Sequence, residues 1–244
     1  AEEDQLFWDT FDDIKTFLTE KSNCTVMRHP ELEADDLIAG WVQAHPDDHH
    51  TIVSSDTDFQ QLLSENVNQY NGITDQLWTV EGVYDKKGEL VLDKKTKEPK
   101  EVNPKWMLFE KCMRGDTSDN VFSAYPGVRK KGSKNKIGLL EAFEDKDKKG
   151  FNWNNMMLQR WTDHNGEEHR VLDDYQRNVT LVDLTAQPDD IKQKIAVTIA
   201  EASEVKSVSM VGAKFLKFCG KYELNKLSDE AQRYADLLGS PYPN

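Results

Sequence analysis

The sequence predicts an α/β fold: a mainly parallel sheet flanked by helices, followed by a mostly helical region. Three observations predict it. Apolar residues recur at helical spacing over residues 5 to 20 and 32 to 45. Short apolar runs at 24 to 27, 51 to 55 and 67 to 70 have the length of strands and alternate with those helices. From Pro104 onward the periodicity is helical almost throughout. Helix and strand in alternation are the mark of an α/β unit, because each crossover lays a helix on a sheet face.

Taken in order, Phe7, Phe11, Ile14, Phe17 and Leu18 make the apolar stripe of the first helix. Leu37, Ile38, Trp41 and Val42 make that of the second. The strand at 51 to 55 runs into Asp56-Thr57-Asp58, and a helical turn through Gln61, Leu62 and Leu63 follows. Residues 77 to 102 read as a hairpin insertion, with strands at 77 to 80 and 83 to 92, a Lys86-Lys87-Gly88 turn and a Lys-rich loop at 94 to 100. Pro104 suits a first helical position and opens a helix carrying Trp106, Leu108, Phe109 and Met113. Tyr125-Pro126-Gly127 and the basic stretch after it interrupt the helices, and Asn165-Gly166 marks a turn. We read residues 1–110 as the α/β core and 111–244 as the helical region.

Composition excludes several classes. The 244 residues are 37% hydrophobic and 31% charged, polar for a globular chain but rich enough in apolar residues to build a core. No apolar run approaches the length of a membrane span, and no signal-peptide pattern is present, so a cytoplasmic protein without a membrane partner is expected. Cys24, Cys112 and Cys219 are an odd, widely spaced set that indicates neither a disulfide framework nor a zinc site. The net charge of −13 argues against a general nucleic-acid binder. Basic charge is nevertheless concentrated at Arg129, Lys130, Lys131, Lys134 and Lys136, where the local field would attract phosphate.

Three acidic clusters carry the chemistry: Glu33-Ala34-Asp35-Asp36, Ser54-Ser55-Asp56-Thr57-Asp58-Phe59 and Gly115-Asp116-Thr117-Ser118-Asp119-Asn120. Packed carboxylates repel unless neutralised, and hard divalent cations prefer oxygen ligands. Each cluster alone also has a plain structural reading. Acids at a helix start complement the helix dipole, which fits Glu33, Asp35 and Asp36. An Asp after a strand can cap the turn that follows, which fits Asp56. Extended backbone would put Asp56 and Asp58 on one face at a sheet's carboxyl edge, where α/β ligand sites lie. The third cluster leads into a glycine turn and a second helix, a helix–turn–helix whose backbone amides suit a phosphate. His164 and His169 flank the Asn-Gly turn and read as exposed hairpin residues, and Trp153 and Trp161 read as core.

Together, in this order and followed by the helix–turn–helix, the clusters resemble the flap endonuclease family of structure-specific 5′-nucleases, with the match closest to the T-even-type bacteriophage RNase H branch. The resemblance covers roughly residues 5 to 200 and is carried by Glu33-Ala34-Asp35-Asp36, Ser54 to Phe59, and Arg114 to Asn120 with Pro126-Gly127-Val128. It implies a PIN-like core, amino-terminally incomplete here, and a helix–three-turn–helix duplex clamp. It implies two Mg²⁺ ions, with Mn²⁺ as an alternative, and removal of RNA primers or 5′ flaps in DNA replication. By the same resemblance Glu33, Asp35, Asp56 and Asp58 are catalytic metal ligands, and Asp36, Asp116 and Asp119 serve a second ion. Gly127, Arg129, Lys130, Lys131, Lys134 and Lys136 would grip DNA. In the family this turn often holds K⁺; here it departs from the short Gly-x-Gly-x-Lys-Thr form, which counts against K⁺.

Expected partners are a DNA duplex with a 5′ flap or an RNA–DNA hybrid, with a single-strand-binding protein or sliding clamp as candidate replication partners. The family's first strand, its Asp-bearing second strand and its basic arch have no counterpart in these residues. We therefore expect a preceding segment in the native protein, and weak turnover without it. Two rival readings stand: a non-catalytic DNA-binding or replication-accessory fragment that retains the fold, and a PIN-type ribonuclease acting on single-stranded RNA. A 5′-flap substrate with Mg²⁺ separates the first, and a comparison of single strands with flapped duplexes separates the second.

Overall fold

A computed structural model describes residues 2–125 and 138–242, with side chains from residue 4 onward. In chain order the elements are α1 (Glu2–Lys21), α2 (Ala34–Ala44), β1 (His50–Val53), a 3₁₀ turn (Thr57–Leu62), β2 (Val67–Asn71), β3 (Gln76–Thr79) and β4 (Gly82–Tyr84). There follow α3 (Pro104–Arg114), α4 (Leu139–Glu144), α5 (Phe151–Met157), β5 (Arg160–Thr162), β6 (Glu168–Arg170) and α6 (Val171–Val182). The chain ends in α7 (Asp189–Ala202), α8 (Val211–Lys221), α9 (Asn225–Asp229) and α10 (Ala231–Gly239). It is a mixed α/β protein, as the periodicity predicts. Residues 24 to 27, expected as a strand, are irregular. Their apolar run is only four residues long and finds no pairing partner among the described residues.

Packing divides the chain into two compact units: residues 1–37 with 193–244, and residues 38–192. In the first, Phe17 packs with Phe215 and Cys219, surrounded by Leu18, Phe218, Leu224, Leu227, Tyr234 and Leu238. Asn23 fastens this unit through its side chain, donating to the carbonyls of Val208 at 3.0 Å and Gly239 at 2.7 Å. Of the stripe read on α1, Phe17 is buried, whereas Phe7, Phe11 and Ile14 are exposed.

The second unit carries the four-stranded sheet, ordered β1-β2-β3-β4. Strand β1 pairs with β2 in parallel, with His50 opposite Val67 and Val53 opposite Tyr70. The pairs β2–β3 and β3–β4 are antiparallel. The expectation of a mainly parallel sheet is therefore corrected: one of the three pairings is parallel. The reason is connection length. A parallel pair needs a crossover, which the turn at 57–62 supplies, whereas β2, β3 and β4 follow one another through connections too short for anything but hairpins. The insertion extends past β4 by isolated bridges from Tyr84 to Leu90 and from Leu92 to Pro99.

Ile52, Phe59 and Val67 are buried under this sheet, with Ile38 and Val42 of α2 packed against them. The larger core lies among α3 to α6. It includes Phe109, Cys112, Met113, Val121, Leu139, Ala142, Trp153, Met157, Val171 and Tyr175. Burial of one side chain such as Phe109 contributes roughly 2–3 kcal/mol, so this cluster fixes α3 and α6 firmly. Trp153 belongs to it, as expected from its helical spacing. Burial pushes the Cys112 thiol up to about 12, which makes it a packed hydrophobe.

Candidate metal centre and its neighbours

Strand β1 delivers its carboxyl end to the second acidic cluster. Asp56 is extended (φ −70°, ψ 127°) and caps the 3₁₀ turn, its Oδ1 accepting from the backbone N of Asp58 at 2.9 Å. Asp58 thus sits in the first turn of a helix and not on a strand, so the shared-face geometry expected from an extended i, i+2 pair does not apply. A residue that sequence reading missed shapes this turn. Gln69 of β2 is almost fully buried, and its Nε2 donates to the carbonyls of Ser54 at 2.9 Å and Asp56 at 2.6 Å. The signal was a polar residue in register with inward Val67, where period-2 alternation calls for an apolar one.

The third cluster is built by the end of α3. Asn103 caps that helix by accepting from the Trp106 N at 3.0 Å, and Pro104 follows as expected. Gly115 ends it at φ 73°, where a Cβ would lie 2.3 Å from the Val121 carbonyl oxygen. Only glycine fits this turn. Asp116 and Val121 then close the loop with two backbone hydrogen bonds of 2.8 Å. Fully buried Asn178 of α6 clamps it by donating to the carbonyls of Cys112 at 2.8 Å and Phe122 at 2.7 Å. Asn178 was also missed; with Asp174 it is one of two polar residues on an inward face of α6 otherwise formed by Val171, Tyr175 and Val182.

These two clusters meet at Lys111, a residue in the last turn of α3 that motif reading passed over. Its ammonium contacts Asp58 Oδ1 and lies 2.8 Å from Asp116 Oδ2 and 3.6 Å from Asp119 Oδ2. Lys111 and Asp58 are largely buried, with 18% and 16% of their side chains exposed. The Lys111 ammonium and the Ser118 hydroxyl beside Asp116 hold its carboxyl well below the usual range. Thr57, Asp58, Gln61, Met107, Leu108, Lys111 and Val182 line an adjoining cavity of about 20 Å³, room for one water-sized occupant.

The donor chemistry fits a hard divalent cation. Carboxylate oxygens of Asp58, Asp116 and Asp119 converge on one positive centre, with neither Cys nor His among them. The first cluster belongs to the other packing unit. There Asp35 and Asp36 occupy the first turn of α2, and Asp36 Oδ2 accepts from the Glu33 N at 3.2 Å, the helix-start arrangement. Gly127, Arg129, Lys130, Lys131, Lys134 and Lys136 lie outside the described residues.

A second group with metal-ligand chemistry stands on the β5–β6 hairpin. One ligand atom from each of Asp163, Glu167 and His169 lies within 4.8 Å of the others. His169 is half-buried and not exposed: its ring stacks on Trp161 at 4.4 Å, and its Nδ1 lies 3.1 Å from Asp174 Oδ2. Asp163 Oδ1 accepts from the backbone N of Asn165 and of Glu167, each at 2.9 Å.

Comparison with known proteins finds similarity to nucleases and to a polymerase. Residues 1–88 match the family model described as "5′-3′ exonuclease, N-terminal resolvase-like domain". The chain is 36% identical over 118 residues to DNA polymerase I of Rhizobium leguminosarum, covering 48% of this chain and 10% of the relative. It is 30% identical over 116 residues to a 5′-3′ exonuclease of Buchnera aphidicola, covering 47% of this chain and 34% of that one. Thus the matched region spans about a tenth of the polymerase and a third of the exonuclease. A solved T5 5′-exonuclease with bound zinc is similar at a TM-score of 0.42 and 19% identity, covering 71% of this chain and 60% of that one. Among the described residues no helix is long and apolar enough to cross a membrane. Over its amino-terminal part the chain is thus similar to 5′-3′ exonucleases and to part of DNA polymerase I.

Proposed function

We propose that the native protein is a Mg²⁺-dependent phosphodiester hydrolase that cuts at 5′ ends or flaps of DNA or RNA–DNA substrates during replication. One observation carries the reading: carboxylates from two acidic clusters more than fifty residues apart converge on a single cationic centre beside a small cavity. When bound, divalent ions supply the charge that activates water and stabilises the leaving oxygen. The chain's own residues hold and orient. Asp58, Asp116 and Asp119 offer oxygens, Asp56 fixes Asp58 through its cap, and Gln69 and Asn178 keep the two turns in place. Glu33, Asp35 and Asp36 are proposed as further ligands on the family resemblance. In this reading residues 1–110 supply the PIN-like nuclease function. Residues 111–244 grip duplex phosphates through Gly127, Arg129, Lys130, Lys131, Lys134 and Lys136, without reading base sequence.

The test is cleavage of a 5′-flap duplex by the full-length protein. Asp58→Asn should reduce Mg²⁺-dependent turnover by roughly 100-fold or more, because one charged ligand is lost, while duplex binding persists. Wild-type turnover by the Asn variant would remove Asp58 from the site. Cleavage of the flap with Mg²⁺ also separates the hydrolase from a non-catalytic accessory protein.

A further inference from the structure

The site described above holds one group with no assigned role. Among the described residues Lys111 is the cation on which Asp58, Asp116 and Asp119 all converge, and it occupies the side of those carboxylates that an ion would need. We propose that Lys111 is a built-in place-holder for the divalent cation: ammonium and ion compete for the same oxygens, and entry of the ion expels the ammonium. The inference rests on the metal-binding reading and adds to it a competitor belonging to the chain itself.

Three features of the geometry carry it. The first is which oxygens are engaged. Asp116 Oδ1 already accepts from the backbone N of Ser118 at 2.9 Å and from the Ser118 hydroxyl. Its Oδ2 is the oxygen turned to Lys111, so an ion calling on Asp116 without dismantling the 115–121 loop binds the same oxygen as the ammonium. The second is charge. Three carboxylates drawn together repel one another, and Asp58 and Asp116 are largely shielded from water, so folding without metal favours a local counter-ion. A lysine four residues ahead of Gly115 is placed by the helix itself to supply one. The third is mobility. Phe109, Cys112 and Met113 bury the inner face of α3 and hold its backbone. Lys111 carries its charge on a four-carbon stem, so the ammonium can swing away from a fixed helix. A permanent structural ion pair would predict the opposite: removal of the ammonium would loosen the turns and weaken metal binding.

The experiment is an Mn²⁺ titration of the full-length protein followed by electron paramagnetic resonance, with Lys111→Met and Lys111→Arg beside wild type. The place-holder predicts that Lys111→Met binds Mn²⁺ about tenfold more tightly, because the competing charge is gone, and that Lys111→Arg stays near wild type. A second readout uses wild type alone, so a variant that fails to fold cannot void the test. Reductive methylation of lysines, read by mass spectrometry, should proceed several-fold faster at Lys111 when Mg²⁺ is added, while Lys192 is unaffected. Equal or weaker Mn²⁺ binding by folded Lys111→Met, or no rise in Lys111 labelling, overturns the place-holder and leaves the metal centre standing. Failure of wild type and both variants to bind Mn²⁺ overturns both together.

Discussion

Two groups in the 38–192 unit gather carboxylates around a basic side chain, and they do so in different ways. The hairpin group of Asp163, Glu167 and His169 is local: all three lie within seven consecutive residues. Its acid is largely spent on the turn, because Asp163 Oδ1 accepts two backbone amides, and those amides, the Glu167 N–H foremost, hold its carboxyl below the usual range. The centre at Lys111 is non-local. Asp58 comes from the turn after β1, and Asp116 and Asp119 come from the loop after α3. There the Lys111 ammonium is the foremost cause that lowers Asp116, followed by the Ser118 hydroxyl, with the Ser118 backbone N–H contributing less. Local acids are readily absorbed by turn hydrogen bonds. Acids brought together from afar repel one another, and at the second place the Lys111 ammonium offsets that repulsion.

The comparison can be broken first at the loop that creates the non-local centre. Gly115→Ala should destabilise the protein by about 3 kcal/mol, through a left-handed alanine and a backbone clash. Gly166→Ala, at φ 85° with open space around its Cβ position, should cost only about 1 kcal/mol. Urea unfolding measures both; equal losses would deny the 115–121 turn its special tightness. The next largest effect is expected at Asn178→Leu, which orphans the buried carbonyls of Cys112 and Phe122. A loss of about 2 kcal/mol is expected, with weaker divalent binding because the loop loses its clamp. A variant as stable as wild type would remove the clamp from the account.

The smallest effect separates the two causes of acid strength. Asp116 has a folded value below its unfolded one, so its contribution to stability is present above about pH 4 and fades as the pH falls below that. Lys111→Met should move the Asp116 carboxyl back toward the ordinary range in an NMR titration, because its main cause is gone. Asp163 should titrate unchanged, because its cause is backbone. Parallel movement of both would show that the two places are not electrically distinct.

Much of the fold was legible because its signals are local. Phe11, Phe17 and Leu18 at helical spacing mark α1, Pro104 after Asn103 marks the start of α3, and Asn165-Gly166 marks the hairpin. The acids were legible as motifs, but their mutual arrangement was not. For Asp56 and Asp58 the sequence offered both a shared strand face and a cap on the following turn, and the structure takes the cap. Lys111 was passed over because a lysine in the last turn of a helix ordinarily just complements the dipole. The polar residues Gln69 and Asn178 stand at inward positions of β2 and α6, a readable anomaly whose purpose appears only when the carbonyls they bind are known. The parallel expectation failed for β3 and β4 because strand direction follows connection length, and the hairpins at 71–76 and 79–82 were too short to cross over.

The most direct measurement is a crystal structure of the full-length protein soaked in Mn²⁺, with the ion located by its anomalous scattering. The account predicts a peak within coordination distance of Asp58 and Asp116, with the Lys111 ammonium displaced. A peak confined to Asp163, Glu167 and His169, or none beside Asp58 and Asp116 at saturating Mn²⁺, would contradict it.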